Sequence, residues 1–109
     1  MSDSMYPKDG PKHFLTLMEL NKDLFTSFIN FNQKAFEEGA ISVKMKELIG
    51  LACAHITRCP YCIDGHLKKA KQVGASDAEI AEAIYVAVAM NAGASFAHSC
   101  IAMEGLKEK

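Results

Sequence analysis

The chain is poor in the residues that interrupt helices. Among 109 residues there are 7 glycines and 3 prolines, and aromatic side chains make up only 8%. Runs of β-branched residues are few, and apolar residues recur at spacings of three and four, which leaves an all-helical reading. Positive charge is not in excess either. Lys and Arg number 12 against 13 Asp and Glu, for a net charge of -1. Such a balance supplies no basic field for phosphates or anionic lipid, so nucleic acid is excluded as a first partner. There is no internal repeat, low-complexity tract or linker, and the length suits one ordinary domain. A single domain over residues 1–109 is expected, with residues 1–11 as a flexible N-terminal segment. That segment carries Pro7, Gly10 and Pro11 and lacks the basic start and apolar centre of a signal peptide, so the expected location is the cytosol.

What the chain has in surplus is alanine, within a 50% share of AVILMFWYC residues. The surplus points to buried subunit contacts. The stretch Ala83 to Met103 holds no Asp, Glu, Lys or Arg over 21 residues, long enough to raise the question of a membrane span. Asn91, Ser95, His98 and Ser99 interrupt it, and its alanine and glycine suit close helix contacts in an oligomer better than lipid, so no membrane role is expected.

Four or five helices are predicted. The first runs from Lys12 to Leu20 with Phe14, Leu15, Leu17 and Met18 on its apolar side. The second, Asp23 to Glu38, carries Leu24, Phe25, Phe28, Ile29, Phe31 and Phe36 as core residues and is stopped by Gly39. Ser42 offers an N-cap to a third, Val43 to Thr57, with Met45, Leu48, Ile49, Ala52 and Ile56 as its buried stripe. Pro60 opens a fourth that ends near Val73, before Gly74. Ser76 to Glu79 spell a capping box, which starts a long last helix reaching about Gly105. Met90 to Ser95, around Gly93, read as a close helix crossing, within a subunit or between subunits.

The chemistry concentrates in Glu47, Cys59, Cys62 and His66. Cys59 and Cys62 form a CxxC at a predicted helix start, where unpaired N–H groups and the helix dipole favour a thiolate. Cysteines three residues apart in a first turn are close enough to form a disulfide, so the pair can cycle between dithiol and disulfide. Four cysteines in a cytosolic chain are otherwise kept reduced. His66 follows Cys62 by four residues and shares its helix face, whereas Cys59 is roughly 10 Å further along the axis. An antiparallel return brings Glu47 to a depth near His66, where a carboxylate holds the imidazole oriented. The relay read from these spacings runs from Glu47 through His66 to Cys62, with Cys59, expected nearer the surface, closing the disulfide.

With Lys46-Glu47-Leu48-Ile49 before it and Gly74 with Ser76 to Glu82 after it, the pattern E-x11-C-x2-C-x3-H resembles the carboxymuconolactone decarboxylase and alkyl hydroperoxidase D-like proteins. The likeness covers roughly Ala40 to His98. It implies an all-helical bundle that assembles into trimers or hexamers, and a CxxC enzyme that uses no bound cofactor. In the peroxidase branch the residue matching Cys62 attacks peroxide, that matching Cys59 resolves it, and those matching Glu47 and His66 relay protons. The partners implied are a small peroxide or disulfide as substrate and an outside dithiol, such as a lipoyl group or a thioredoxin-like protein, as reductant. Tyr61 stands where well-known hydroperoxidase members carry a further relay histidine, so the relay implied here rests on Glu47 and His66.

Two other readings compete. Cys53, Cys59, Cys62 and His66 could ligate a structural zinc ion, or Glu47 and His66 could move protons in a lyase acting on a small carboxylated lactone, with the cysteines incidental. Cys53 and Cys100 read as small buried core residues. His55 and His98 read as histidines satisfied by a hydrogen bond, Tyr61 and Tyr85 as walls flanking the thiols, and Lys68, Lys69 and Lys71 as a solvated face.

Overall fold

The structure, a computed structural model, describes residues 6–107, and these form five helices with no strand among them. The helices are α1 (Gly10–Leu20), α2 (Lys22–Phe36), α3 (Val43–Thr57), α4 (Pro60–Gln72) and α5 (Asp77–Lys107). Residues 1–5 of the expected N-terminal segment lie outside the described residues, and α1 begins two residues before Lys12. By internal contacts the chain divides into two compact units, Met1–Lys46 and Glu47–Lys109.

In the first unit α1 and α2 contact one another. Asn21 separates them. Its N–H bonds the carbonyls of Leu17 and Met18, while its side-chain oxygen accepts from Leu24 N–H at 3.1 Å, so one residue closes α1 and caps α2. The end of α2 differs from expectation. The helix stops at Phe36 because Glu37 takes an extended conformation, and its carbonyl accepts from the Lys46 ammonium, so Gly39 lies beyond the helix rather than capping it. The phenylalanines of α2 are also not core: no residue of α2 is buried, and Phe28 and Phe31 are largely exposed. With Phe14, Leu17, Leu24, Phe25 and Ile29, Phe28 lines an open apolar hollow in this unit.

Ser42 does cap α3, accepting from Met45 N–H at 3.1 Å. In the second unit the core is small, made of Leu48, Leu51, Ala70 and Ile80 with Ile63, Leu67, Ala75, Ala83 and Ile84 packed around it. The buried side of α3 is therefore set by Leu48, Leu51 and Ala54, whereas Met45, Ile49 and Ile56 from the expected stripe are exposed. Apolar residues lie on more than one side of this helix, so periodicity alone does not choose the phase.

Helix α4 ends in a Schellman motif: Gly74 sits at φ 92°, Ala75 N–H bonds Ala70 carbonyl at 2.9 Å, and Gly74 N–H bonds Lys71 carbonyl at 3.1 Å. The capping box follows at once, with Ser76 Oγ accepting from Glu79 N–H at 3.1 Å and Glu79 Oε1 accepting from Ser76 N–H at 2.9 Å. Helix α5 contributes only Ile80 and Ala87 as buried residues, and every described residue after Ala87 is exposed. By length and composition alone α5 is apolar enough to cross a membrane. A Cβ added at Gly93 would meet nothing within 4 Å, so the expected close crossing is not made within this chain's described residues.

Candidate functional site

The site is built where α3 stops and α4 starts, entirely within the second unit. Arg58 adopts the left-handed conformation, φ 60°, and Cys59 N–H reaches back to Ala54 carbonyl at 3.1 Å. This is the same six-to-one closure that ends α4, but with arginine where glycine is the usual residue. A non-glycine side chain there costs about 1 kcal/mol. Thr57 Oγ1 donates to the same Ala54 carbonyl at 3.3 Å, which tightens the turn.

Cys59 is then the N-cap of α4. Its sulfur accepts from Cys62 N–H at 3.2 Å, and Pro60 occupies the first turn, where its lacking N–H is no loss. The cap brings the sulfurs of Cys59 and Cys62 together as a disulfide, with Cα atoms 5.2 Å apart, inside the range such bonds accept. Exposure of the pair reverses the expectation. Cys62 is exposed and Cys59 only half-buried, because an N-cap side chain folds back over its own helix.

One turn beyond Cys62, His66 Nδ1 donates to Glu47 Oε1 at 2.7 Å. Glu47 is 4% exposed and is the buried charged residue of the described core. A carboxylate can only accept, so this bond assigns the ring proton to Nδ1 and makes Nε2 the proton-accepting atom of the neutral imidazole. The structure thus brings together Glu47 with His66 and Cys59 with Cys62, and α4 carries Cys62 and His66 on one face.

Other candidates fall outside this group. Cys53 and Cys100 are free and exposed, not the small core residues expected: Cys53 faces away from the Leu51 and Ala54 side of α3, and Cys100 lies on the uncovered half of α5. Among the described residues no three His, Cys, Asp or Glu side chains gather as metal ligands, so Cys53 does not join Cys59, Cys62 and His66 in a zinc-type set. His55 donates from Nδ1 to Leu51 carbonyl at 2.8 Å, a satisfied histidine on its own helix. His98 and Tyr85 are exposed on α5, Tyr61 is half-buried, and Lys68, Lys69 and Lys71 are exposed. Arg58 to Pro60 read in the sequence as no more than the break between the third and fourth helices, whereas Arg58 is the residue that takes the left-handed turn. Its signal was available, since it is the single arginine in the chain and directly precedes the CxxC.

Comparison with known proteins gives the chain's family. A model of the carboxymuconolactone decarboxylase family matches residues 22–105, a span that includes all four site residues. A Paracoccus denitrificans protein described as uncharacterized protein 4 in the cox locus is 44% identical over 82 residues, which is 75% of this chain and 74% of that protein. Among solved structures, a carboxymuconolactone decarboxylase family protein from Legionella pneumophila is 32% identical with a TM-score of 0.73, covering 89% of this chain and 87% of that one. A protein from Methanobacterium thermoautotrophicum gives 30% identity and a TM-score of 0.74, over 78% of this chain and 96% of that one. The break between α3 and α4, with its cysteine pair and buried Glu47–His66 bond, therefore sits in an all-helical chain that belongs to the carboxymuconolactone decarboxylase family.

Proposed function

We propose that this chain is a thiol-disulfide oxidoreductase of the peroxidase-like kind, working in the cytosol without a bound cofactor as an assembly of identical subunits. The observation that carries the reading is the Cys59–Cys62 pair at the start of α4, one turn from a histidine fixed by the buried Glu47. Cys62 is the attacking thiol, being the exposed member and the one sharing a face with His66. His66 Nε2 takes the Cys62 proton and the thiolate attacks a peroxide oxygen. The O–O bond breaks, Cys62 becomes a sulfenic acid, and the alcohol leaves with the proton returned by His66. The Cys59 thiol then attacks the Cys62 sulfur, and water leaves with the Cys59 proton as the disulfide forms. The peroxide gains two electrons and the dithiol loses them.

An outside dithiol, such as a lipoyl group or a thioredoxin-like protein, reverses the last state. One of its thiolates bonds to the exposed Cys62 sulfur while the Cys59–Cys62 bond breaks, and its second thiol displaces Cys62 to close the reductant's own disulfide. Cys59 leaves as a thiolate into its N-cap position, where Cys62 N–H and the positive end of α4 receive it. With a disulfide substrate the same exchange runs from the reduced pair.

Assembly is supported by the apolar side chains left uncovered, Phe96 at 82% exposure and Phe31 at 70% among them, which in a single copy face water. The test of the chemistry is intact mass and thiol count of the reduced protein before and after one equivalent of a hydroperoxide. Loss of two hydrogens mapped to Cys59 and Cys62 is expected. Cys62→Ser should abolish turnover, and Cys59→Ser should allow one oxidation without recycling. Normal turnover by Cys62→Ser would overturn the relay assignment, and activity on a carboxylated lactone that alkylation leaves intact would replace this reading with acid-base lyase chemistry.

A further inference from the structure

Arg58 is the one arginine beside eleven lysines, and it stands directly before Cys59. It is exposed, and no carboxylate among the described residues pairs with it. The acidic residues of the surrounding stretch, from Glu47 to Lys69, are already engaged: Glu47 accepts from His66 at 2.7 Å, and Asp64 pairs with Lys68 at 2.9 Å. The guanidinium therefore carries a charge that no described carboxylate pairs with, on the residue directly before Cys59 and so next to the positive end of α4. Its backbone sharpens the point. At φ 60° Arg58 holds a conformation that the corresponding position of α4 gives to Gly74, so the turn itself does not call for a side chain. An arginine at that left-handed position supplies a planar, charged donor suited to a carboxylate.

We propose that Arg58 selects the co-substrate by charge: the dithiol that reduces the Cys59–Cys62 disulfide bears a carboxylate near its sulfurs, which Arg58 binds while a reductant thiolate attacks Cys62. The inference rests on the thiol-disulfide reading above. It adds no electron or proton to that exchange. The bond formed is from reductant sulfur to Cys62, the bond broken is Cys59–Cys62, and the reductant's second thiol completes the two-electron transfer.

The test uses a matched pair of reductants, dihydrolipoate and its neutral amide dihydrolipoamide, on the oxidised full chain. Each rate is divided by that reductant's rate with bis(2-hydroxyethyl) disulfide, a neutral small disulfide, which removes intrinsic thiol reactivity. The acid-to-amide ratio is expected to exceed one by about two- to fivefold at low salt, the size of one exposed ion pair, and to fall toward one at high salt. In Arg58→Gln it should fall to about one, in Arg58→Lys it should stay above one, and in Arg58→Glu it should drop below one. Because the readout is a ratio within each protein, a change in folding or in the pair's own reactivity does not move it. A ratio of one in the wild type, or one that Arg58→Glu leaves intact, overturns the Arg58 assignment while the thiol reading stands. If neither dithiol opens the disulfide of the wild type, both fall together.

Discussion

The Glu47–His66 bond leads to a prediction in which a second substitution repairs the first. Glu47 is 4% exposed, and its side chain meets His66 Nδ1 at 2.7 Å. His66→Ala removes the partner and leaves a carboxylate buried without compensation, for which about 3–5 kcal/mol of destabilisation is expected. Glu47→Gln in the wild type does far less. The amide oxygen still accepts from Nδ1–H, so what is lost is the charge-assisted share of the bond, about 1 kcal/mol. In the His66→Ala background the same Gln removes the stranded charge and leaves only a neutral amide, restoring about 1–2 kcal/mol. The sign of the Glu47→Gln effect thus reverses between backgrounds, giving a coupling of about 2–3 kcal/mol. The assay is urea unfolding followed by helical circular dichroism, at one protein concentration so that association does not enter. If Gln destabilises both backgrounds equally, the two side chains are not coupled and the relay geometry is refuted.

Further perturbations probe the packing around the site. Leu51 is 1% exposed and central to a core of few residues, so Leu51→Ala should cost about 3–5 kcal/mol, seen as a lowered thermal midpoint. Ser76→Ala removes the acceptor for Glu79 N–H and should cost about 1 kcal/mol in chemical unfolding while leaving thiol oxidation unaltered. Phe96→Asp places a charge on an uncovered apolar position of α5; sedimentation should show a shift toward smaller species if that helix joins copies, and no shift would remove α5 from the interface.

The parts of the fold legible in the sequence are those set by residues close in the chain. Ser42, Pro60, Gly74 and the Ser76–Glu79 box each act within four residues, and each occupies the place its chemistry dictates. The end of α2 was not legible because Glu37 leaves the helix with its carbonyl held by Lys46, nine residues away. The buried side of α3 is not legible for another reason. Its apolar residues surround the helix, and choosing Leu51 and Ala54 over Ile49 and Ile56 depends on which side meets α4 and α5. Phe28, Phe31 and Phe96 show the same limit: helical spacing marks an apolar side without saying whether this chain or another covers it. Glu47 is legible only through its spacing to the cysteines and His66; a lone glutamate in a helix carries no sign of burial.

In the thiol-disulfide cycle proposed above, the position of Cys59 lets one site serve two redox states with little rearrangement. As N-cap, its sulfur accepts from Cys62 N–H at 3.2 Å while also lying within bonding reach of the Cys62 sulfur. The first interaction needs only an acceptor at the cap and is strengthened by negative charge, so a Cys59 thiolate satisfies it at least as well as a disulfide sulfur. Opening the disulfide therefore leaves the start of α4 capped. The Arg58 turn is independent of sulfur as well, because its closure is a backbone bond from Cys59 N–H to Ala54 carbonyl. In the proposed cycle helix start and turn therefore need not move, and His66, anchored to Glu47, lies one turn from Cys62. The reorganisation left for the proposed cycle is a rotation of two short side chains, which is the preorganisation a dithiol catalyst would need.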